Sequence, residues 1–456
     1  MNWLTGKCGT ESLFGEVDSR LRGNDSGGDL RLAGDGSAVA CGHIVRVAFE
    51  SAADAEFDYL AADEIWPIEV GQRVEVPFGR KNKPEVGFCT WADVPREESF
   101  LAIGRGRKLK AVLKVADEGP LIDAELMELA KWISSYYVCP LGQVLAAMVP
   151  GAVKKGAGVK TQRYVYLADG SQEAIEGLRG GKQKLIADFL RGRQALCAES
   201  GLEVQAVLDA VGCGAEPLKR LAEKGIVKIG RKTVITALPA IPEGLAIPAV
   251  EVTLNEDQKA VLAHLRERIE SGEFGVALLH GVTDSGKTEV YIRAIEAVLA
   301  SGKGAIILLP EIALTAQTVQ RFSARFERIA VMHSGLTAAQ RNVQWQMIKA
   351  GEADVVIGAR SAVFSPLPRL GLIIVDEEHE PGYKQDTAPR YNGRDVAIKR
   401  AQLAGAHCIL GSATPSLETL ENCRRKGHFS IARLPRRVMN LPSPKMRLVD
   451  MRAGAV

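Results

Sequence analysis

The sequence predicts a multidomain α/β protein: a small β-rich N-terminal domain, a helical module closed by a strand, and a large lobe built on a parallel sheet. Three patterns carry that prediction. Alternating apolar residues in IVRVAF and RVEVPFG, punctuated by Gly71 and Gly79, read as short strands. Amphipathic segments KQKLIADFL, LEVQAVLDAVG and AEPLKRLAEKG then lead into the strand IVKIG. After Val250, the apolar runs GVALLH, GAIILLP, IAVMH, DVVIGA, GLIIVDE and HCILGSA alternate with helical segments. Buried strands separated by helices imply a parallel sheet.

The elements follow in order along the chain. Residues 5–38 are rich in Gly, Asp, Ser and Arg and bury too little apolar surface to offset chain entropy, so 1–40 is expected to be disordered. The β-rich domain spans 41–150 and closes with the helical stretch LIDAELMELAKWISSYY, whose apolar residues fall near a 3.6 spacing. The Gly- and Lys-rich GAVKKGAGVK places a linker over 151–162. Three helices closed by a strand fit a winged-helix module over 163–237. The Pro-rich LPAIPEGLAIP marks a second linker over 238–249, and the α/β lobe occupies 250–434.

Composition narrows the classes. The 456 residues call for several domains at roughly 100–200 residues each. The 58 basic and 55 acidic residues nearly cancel, leaving a net charge of +3, so a nucleic-acid surface must be local. No apolar run approaches the roughly 18 residues of a membrane helix. None of the eight cysteines forms a Cys-x-x-Cys pair, so neither a zinc ribbon nor a disulfide framework is indicated and a reduced, cytoplasmic compartment is expected.

The chemistry lies in the lobe. The strand GVALLH runs into GVTDSGKT (281–288) and then a helix, the context a phosphate loop needs. Gly281 and Gly286 let the loop wrap, with Thr283 and Ser285 between them, so that backbone N–H groups point at phosphate oxygens. Lys287 supplies a charge to the β- and γ-phosphates, and Thr288 offers a hydroxyl to magnesium. In GLIIVDEEH, Asp376 would hold Mg2+ through water and Glu377 would position and deprotonate the attacking water. Together these imply a nucleotide hydrolase.

The remaining motifs give its flavour. The DEEH box, GSATPS (411–416) and LNEDQ (254–258) resemble superfamily 2 helicase motifs, with Gln258 the candidate for adenine. LLPEIALTAQ, the HSG at 333–335 and IGARSAVFSPLPRLGLIIVDEEH resemble the PriA family of replication-restart helicases in particular. The resemblance implies a RecA-like ATP-binding lobe preceded by a winged helix and a domain that captures the 3′ end of DNA. EPGYKQDTAPRYNGRDVA (380–397) resembles that family's aromatic-rich loop, which senses single-stranded DNA. Tyr383 and Tyr391 would then stack on bases, and Lys384, Arg390 and Arg394 would meet phosphates.

AEFDYL and GQRVEVPFGR resemble the family's 3′-end pocket. By that resemblance Phe57 stacks on the terminal base, Asp58 accepts its hydrogen bonds and the backbone near Gly79 meets the sugar. By pattern alone, Phe57 and Tyr59 read as core residues of a sheet. Expected partners are forked and single-stranded DNA, other primosome proteins, single-strand-binding protein and the machinery that loads the replicative helicase, at the nucleoid. Asp284 stands where the family usually carries glycine, and residues before 40 match nothing in it. The segment 435–456 resembles the approach to a second lobe and a zinc domain. The chain as given is therefore expected to bind forks without unwinding them. Two other readings stand beside this one: a non-catalytic fork-binding fragment, and another superfamily 2 translocase acting in repair.

Overall fold

A computed structural model describes residues 42–438 apart from 52–54, 100–108, 157–158, 169, 171, 179–180, 198–199 and 236–251. The expectations for 1–40, for 238–249 and for most of 435–456 lie outside the described residues.

The N-terminal region is a six-stranded sheet with order β5-β2-β1-β4-β3-β6. Its strands are β1 (His43–Ala48), β2 (Glu56–Ala61), β3 (Arg73–Phe78), β4 (Lys83–Trp91), β5 (Lys110–Ala111) and β6 (Lys114–Val115). The period-2 pattern puts Val45, Val47, Tyr59, Val74 and Val76 into one core. Antiparallel pairing of β1 with β2 sets Arg46 opposite Asp58. The β3–β4 turn uses positive φ at Gly79 (69°) and Asn82 (50°).

Helix α1 (Ala124–Tyr136) begins at Asp123, whose carboxylate accepts from the Leu126 N–H at 2.8 Å. It buries Leu126, Met127, Leu129, Ala130 and Ile133. Helices α2 (Leu141–Met148) and α3 (Gly151–Lys154) follow. The linker expected over 151–162 is therefore structured in part: Ala152 and Val153 are buried in α3, and strand β7 (Val159–Leu167) starts before the segment ends.

In the middle module β7 pairs antiparallel with β9 (Val227–Ile235) and with the short β8 (Leu202–Glu203). Helices α4 (Gln172–Glu176), α5 (Gly181–Gly192), α6 (Val204–Val211) and α7 (Glu216–Glu223) complete it. Val165, Ile186, Leu190, Val207, Leu218, Leu221 and Ile226 form its own core.

The lobe is a seven-stranded sheet of order β12-β13-β11-β14-β15-β10-β16, parallel throughout. Its strands are β10 (Gly275–Gly281), β11 (Gly304–Leu308), β12 (Ile329–Met332), β13 (Val355–Gly358), β14 (Leu370–Val375), β15 (His407–Ser412) and β16 (Phe429–Leu434). The first six are the apolar runs read from the sequence. The seventh, FSIARL, alternates more weakly and lies at the edge beside β10. Helix α8 (Glu256–Glu270) precedes β10, and helices α9 (Lys287–Ala300), α10 (Ala316–Ser323), α11 (Ala338–Lys349), α12 (Gly393–Ala404) and α13 (Leu417–Arg425) lie between later strands. Apolar clusters lie on both faces, as a parallel sheet requires.

One of these clusters is continuous with the N-terminal region, since Leu126, Met127 and Ile133 of α1 share it with Val396, Ala397 and Ala401 of α12. Across this seam Arg400, 1% exposed, stands 3.5 Å from Glu125 and donates to the Val363 carbonyl. Burial lowers the guanidinium's pKa and raises that of Glu125, each partly offset by the other.

Candidate active site

The loop after β10 and the turn after β14 face one another at the carboxyl ends of strands separated only by β15. That edge is where open α/β sheets place ligands. Gly286 caps α9 at φ 81°, and a Cβ there would sit 2.2 Å from the Gln258 amide nitrogen. The loop therefore closes tightly onto α8. Thr283, Ser285, Gly286, Lys287, Thr288, Asp376 and Glu377 line a single cleft of about 670 Å³. Gly281 lies at its entry strand, and Asp284 lines it with φ 61°.

Lys287 Nζ donates to the Gly281 carbonyl at 3.2 Å and lies 3.5 Å from Glu377 Oε1. Asp376 Oδ1 accepts from the Tyr291 hydroxyl at 2.7 Å. Burial raises the Asp376 carboxyl above the ordinary carboxylate range; Glu377 adds to this, while Tyr291 and Lys287 oppose it. Gly411 on β15 makes room for this pair, because a Cβ there would fall 1.6 Å from the Tyr291 oxygen.

The donor set fits a nucleoside triphosphate with magnesium. The helix start, the Lys287 ammonium, the Thr288 hydroxyl and the Asp376 and Glu377 carboxylates share one cleft, which Asp284 and Glu289 also line, and the buried Ser285 hydroxyl has no hydrogen-bond partner among the described residues.

Several expected roles need correction. Gln258 is 3% exposed, not open to a base. Its oxygen accepts from the Asn255 N–H at 2.9 Å and its nitrogen donates to the Ser285 carbonyl at 3.0 Å. It completes a capping box for α8 and ties that helix to the phosphate loop. Tyr383 and Tyr391 are 2% and 3% exposed and offer no stacking face. The Tyr383 hydroxyl, with one proton to give, lies 2.7 Å from the Asp376 carbonyl and 3.0 Å from the Leu308 carbonyl, and the latter also accepts from the Asp376 N–H at 2.9 Å. Tyr391 packs edge-on against Phe364. Arg394 turns inward because the fully buried Glu378 carboxylate needs a cation, which it supplies at 3.0 Å.

Asp58 likewise has a buried side chain, held by Arg46 at 2.8 and 3.3 Å, so it does not face a base. Phe57 is half-buried between Phe49 and Phe78, while Gly79 is exposed at its turn. Lys384 and Arg390 stay on the surface, the ammonium of Lys384 donating to the Arg390 carbonyl at 2.5 Å.

Two residues were missed. Tyr291 lies one helical turn after Lys287, a spacing that points both at the same cleft. Glu378, the third acid of DEEH, carries no role in the motif as read from sequence. It accepts from the Ser416 N–H (2.6 Å), Ser416 Oγ (3.0 Å) and Thr419 Oγ1 (3.0 Å) as well as Arg394, joining the GSATPS segment to α12.

Comparisons with known proteins agree with this geometry. Residues 255–423 match the DEAD/DEAH box helicase family, so the lobe is of the helicase class. Residues 45–150 match the 3′ DNA-binding domain (3′BD) of PriA. The replication restart protein PriA of Bacillus subtilis (strain 168) is 34% identical over 88% of this chain and 56% of its own length. That of Haemophilus influenzae is 34% identical over 90% and 54%. The Synechocystis protein is 41% identical over 54% of this chain and 30% of its own length. The chain is similar to PriA proteins over most of its own length and spans about half the length of the curated relatives it matches. A structure of RecG bound to a three-way DNA junction overlaps 41% of this chain and 24% of its own, at 22% identity and a TM-score of 0.30. Among the described residues no helix is long and apolar enough to cross a membrane.

Proposed function

We propose that this chain is the DNA-end-binding and ATP-hydrolysing part of a 3′-to-5′ replication-restart helicase. The observation that carries the reading is the placement of Lys287, Thr288, Asp376 and Glu377 around one cleft, on a chain that also holds the 45–150 domain. Domain limits of 41–150, 163–237 and 250–434, with a winged helix in the middle, belong to the same proposal.

Lys287 would neutralise the terminal phosphates, leaving Glu377 free of its present ion pair. Glu377 Oε1 would then take a proton from the attacking water. Thr288 and Asp376 would hold magnesium, which supplies charge neutralisation at the phosphates. Tyr291 fixes the Asp376 rotamer through their hydrogen bond. Gln258 acts by holding the loop at the Ser285 carbonyl. At the DNA end, Phe57 and the exposed Gly79 turn remain the contacts of choice, with Lys384 and Arg390 available to phosphates. Primosome proteins, single-strand-binding protein and the helicase-loading machinery are the partners this reading implies.

The test compares gel-shift affinities for a fork with a free 3′ hydroxyl and the same fork capped by a 3′ phosphate. The capped fork should bind several-fold more weakly. Equal affinities would remove the end-binding role.

A further inference from the structure

The two loop tyrosines expected to stack on bases are buried, yet beside them lies a different aromatic cluster, in which Trp132 and Tyr137 are half-buried and Tyr136 is exposed. At the end of α1, Trp132 and Tyr136 are stacked, with ring centroids 4.8 Å apart and planes 18° from parallel. Tyr137 stands edge-on to both, at 6.1 and 4.9 Å. Tyr136 is 60% exposed although helix packing could have turned a smaller or polar side chain outward there. The cluster carries cations: Lys384 Nζ lies 5.2 Å from the Tyr137 ring centre and Lys399 Nζ 5.9 Å from that of Trp132. Each ammonium is thus one ring away from Tyr136.

A second, independent feature adjoins it. Val138 follows the helix at φ 50° and is 90% exposed. That left-handed position normally takes glycine, and a β-branched residue there is strained. The Ser134 carbonyl accepts from the Cys139 N–H at 3.0 Å and the Ser134 hydroxyl donates to the Cys139 carbonyl at 2.7 Å, which holds the conformation. The turn thereby adds an exposed apolar side chain beside the rings, and strained backbone of this kind clusters at ligand-binding sites.

We propose that Trp132, Tyr136 and Val138, with Lys384 and Lys399, form a binding platform for the unpaired bases of single-stranded DNA. Flat aromatic faces flanked by ammonium groups match bases and phosphates together, without sequence choice. The platform is also wired to the lobe. The Tyr137 hydroxyl accepts from the Asn392 N–H at 3.1 Å, and Asn392 bridges to Lys384, next to the Tyr383 that holds the Asp376 carbonyl. Strand occupancy at α1 would therefore be felt at the cleft. This inference deepens the DNA-binding reading above and rests on it.

The test uses a short oligo(dT) capped by a 3′ phosphate, so that end capture does not contribute, with binding read by fluorescence anisotropy. Tyr136→Ala should weaken binding about 5- to 150-fold, the range of one lost base stack. Tyr136→Phe, which keeps the ring, should bind within about twofold of the unmodified chain. Lys399→Gln should reduce the slope of log affinity against log salt by about 0.7, the value of one phosphate contact on a single strand. Since Tyr136 is mostly exposed, the variant chains should share one melting temperature. Unchanged affinity in Tyr136→Ala would overturn the platform while leaving end binding intact. Failure of the unmodified chain to bind any DNA, capped or free, would overturn both.

Discussion

Replacing Glu378 by alanine should destabilise the lobe strongly, although the residue is expected to touch neither nucleotide nor DNA. Its carboxylate is fully out of solvent and accepts four hydrogen bonds, from Ser416 N, Ser416 Oγ, Thr419 Oγ1 and Arg394. Removing one member of a buried ion pair costs about 3–5 kcal/mol, because the other charge is left uncompensated. Arg394 retains Asp395 at 3.0 Å, and Ser416 and Thr419 retain each other at 2.9 Å, which favours the low end. At about 3 kcal/mol, and ~2–4 °C per kcal/mol for a domain of this size, the lobe's transition should fall by about 6–12 °C. Differential scanning calorimetry of the unmodified chain and Glu378→Ala measures this directly. Glu378→Gln keeps an acceptor for the Ser416 N–H and should lose less. A shift below about 2 °C for Glu378→Ala would refute the claim that this carboxylate joins the GSATPS segment to α12.

Two further outcomes follow from single residues. His407 is buried with both ring nitrogens unpartnered among the described residues, and burial pulls its pKa down to about 4 from an ordinary value of about 6.5. The unfolded chain therefore binds this proton first, so stability present above about pH 6.5 is lost as pH falls toward 4, by about 3 kcal/mol in all. His407→Leu should show a flatter melting temperature between those pH values; an unchanged acid profile would contradict the assignment. Asp284→Gly should tighten ATP binding roughly threefold or more, because it removes a negative charge from the cleft and a non-glycine residue from φ 61°. Equal affinity by titration with a fluorescent ATP analogue would mean that Asp284 is screened by solvent.

The lobe was legible because its signals are redundant. Six apolar runs fixed six strands, and a glycine loop between a strand and a helix admits few other structures. The acidic turn could be placed because it ends a strand of the same sheet. Burial was harder to read. Tyr383 and Tyr391 look like surface stacking groups in a Gly- and Pro-containing loop, yet carbonyls at strand ends draw the Tyr383 hydroxyl inside. Arg394 and Asp58 look like ligand-binding charges until their partners Glu378 and Arg46 are in place, and neither partner is near in sequence. Asn255 and Gln258 were readable as a capping box from their spacing alone, which would have turned Gln258 from the base to the loop. The exposed ring of Tyr136 was hidden at the end of a helix whose apolar period reads as one core-facing stripe.

The most direct test of the account is equilibrium binding of ATP with magnesium to the unmodified chain and to Lys287→Ala. Among the described residues of the cleft, Lys287 is the cation paired with Glu377, a pairing that a phosphate would replace, and a charge-assisted hydrogen bond is worth about 1.5–3 kcal/mol. The variant should therefore bind roughly 10- to 150-fold more weakly, with an unchanged melting temperature in the absence of nucleotide. Equal affinity in the two proteins would show that the triphosphate does not sit on the 281–288 loop.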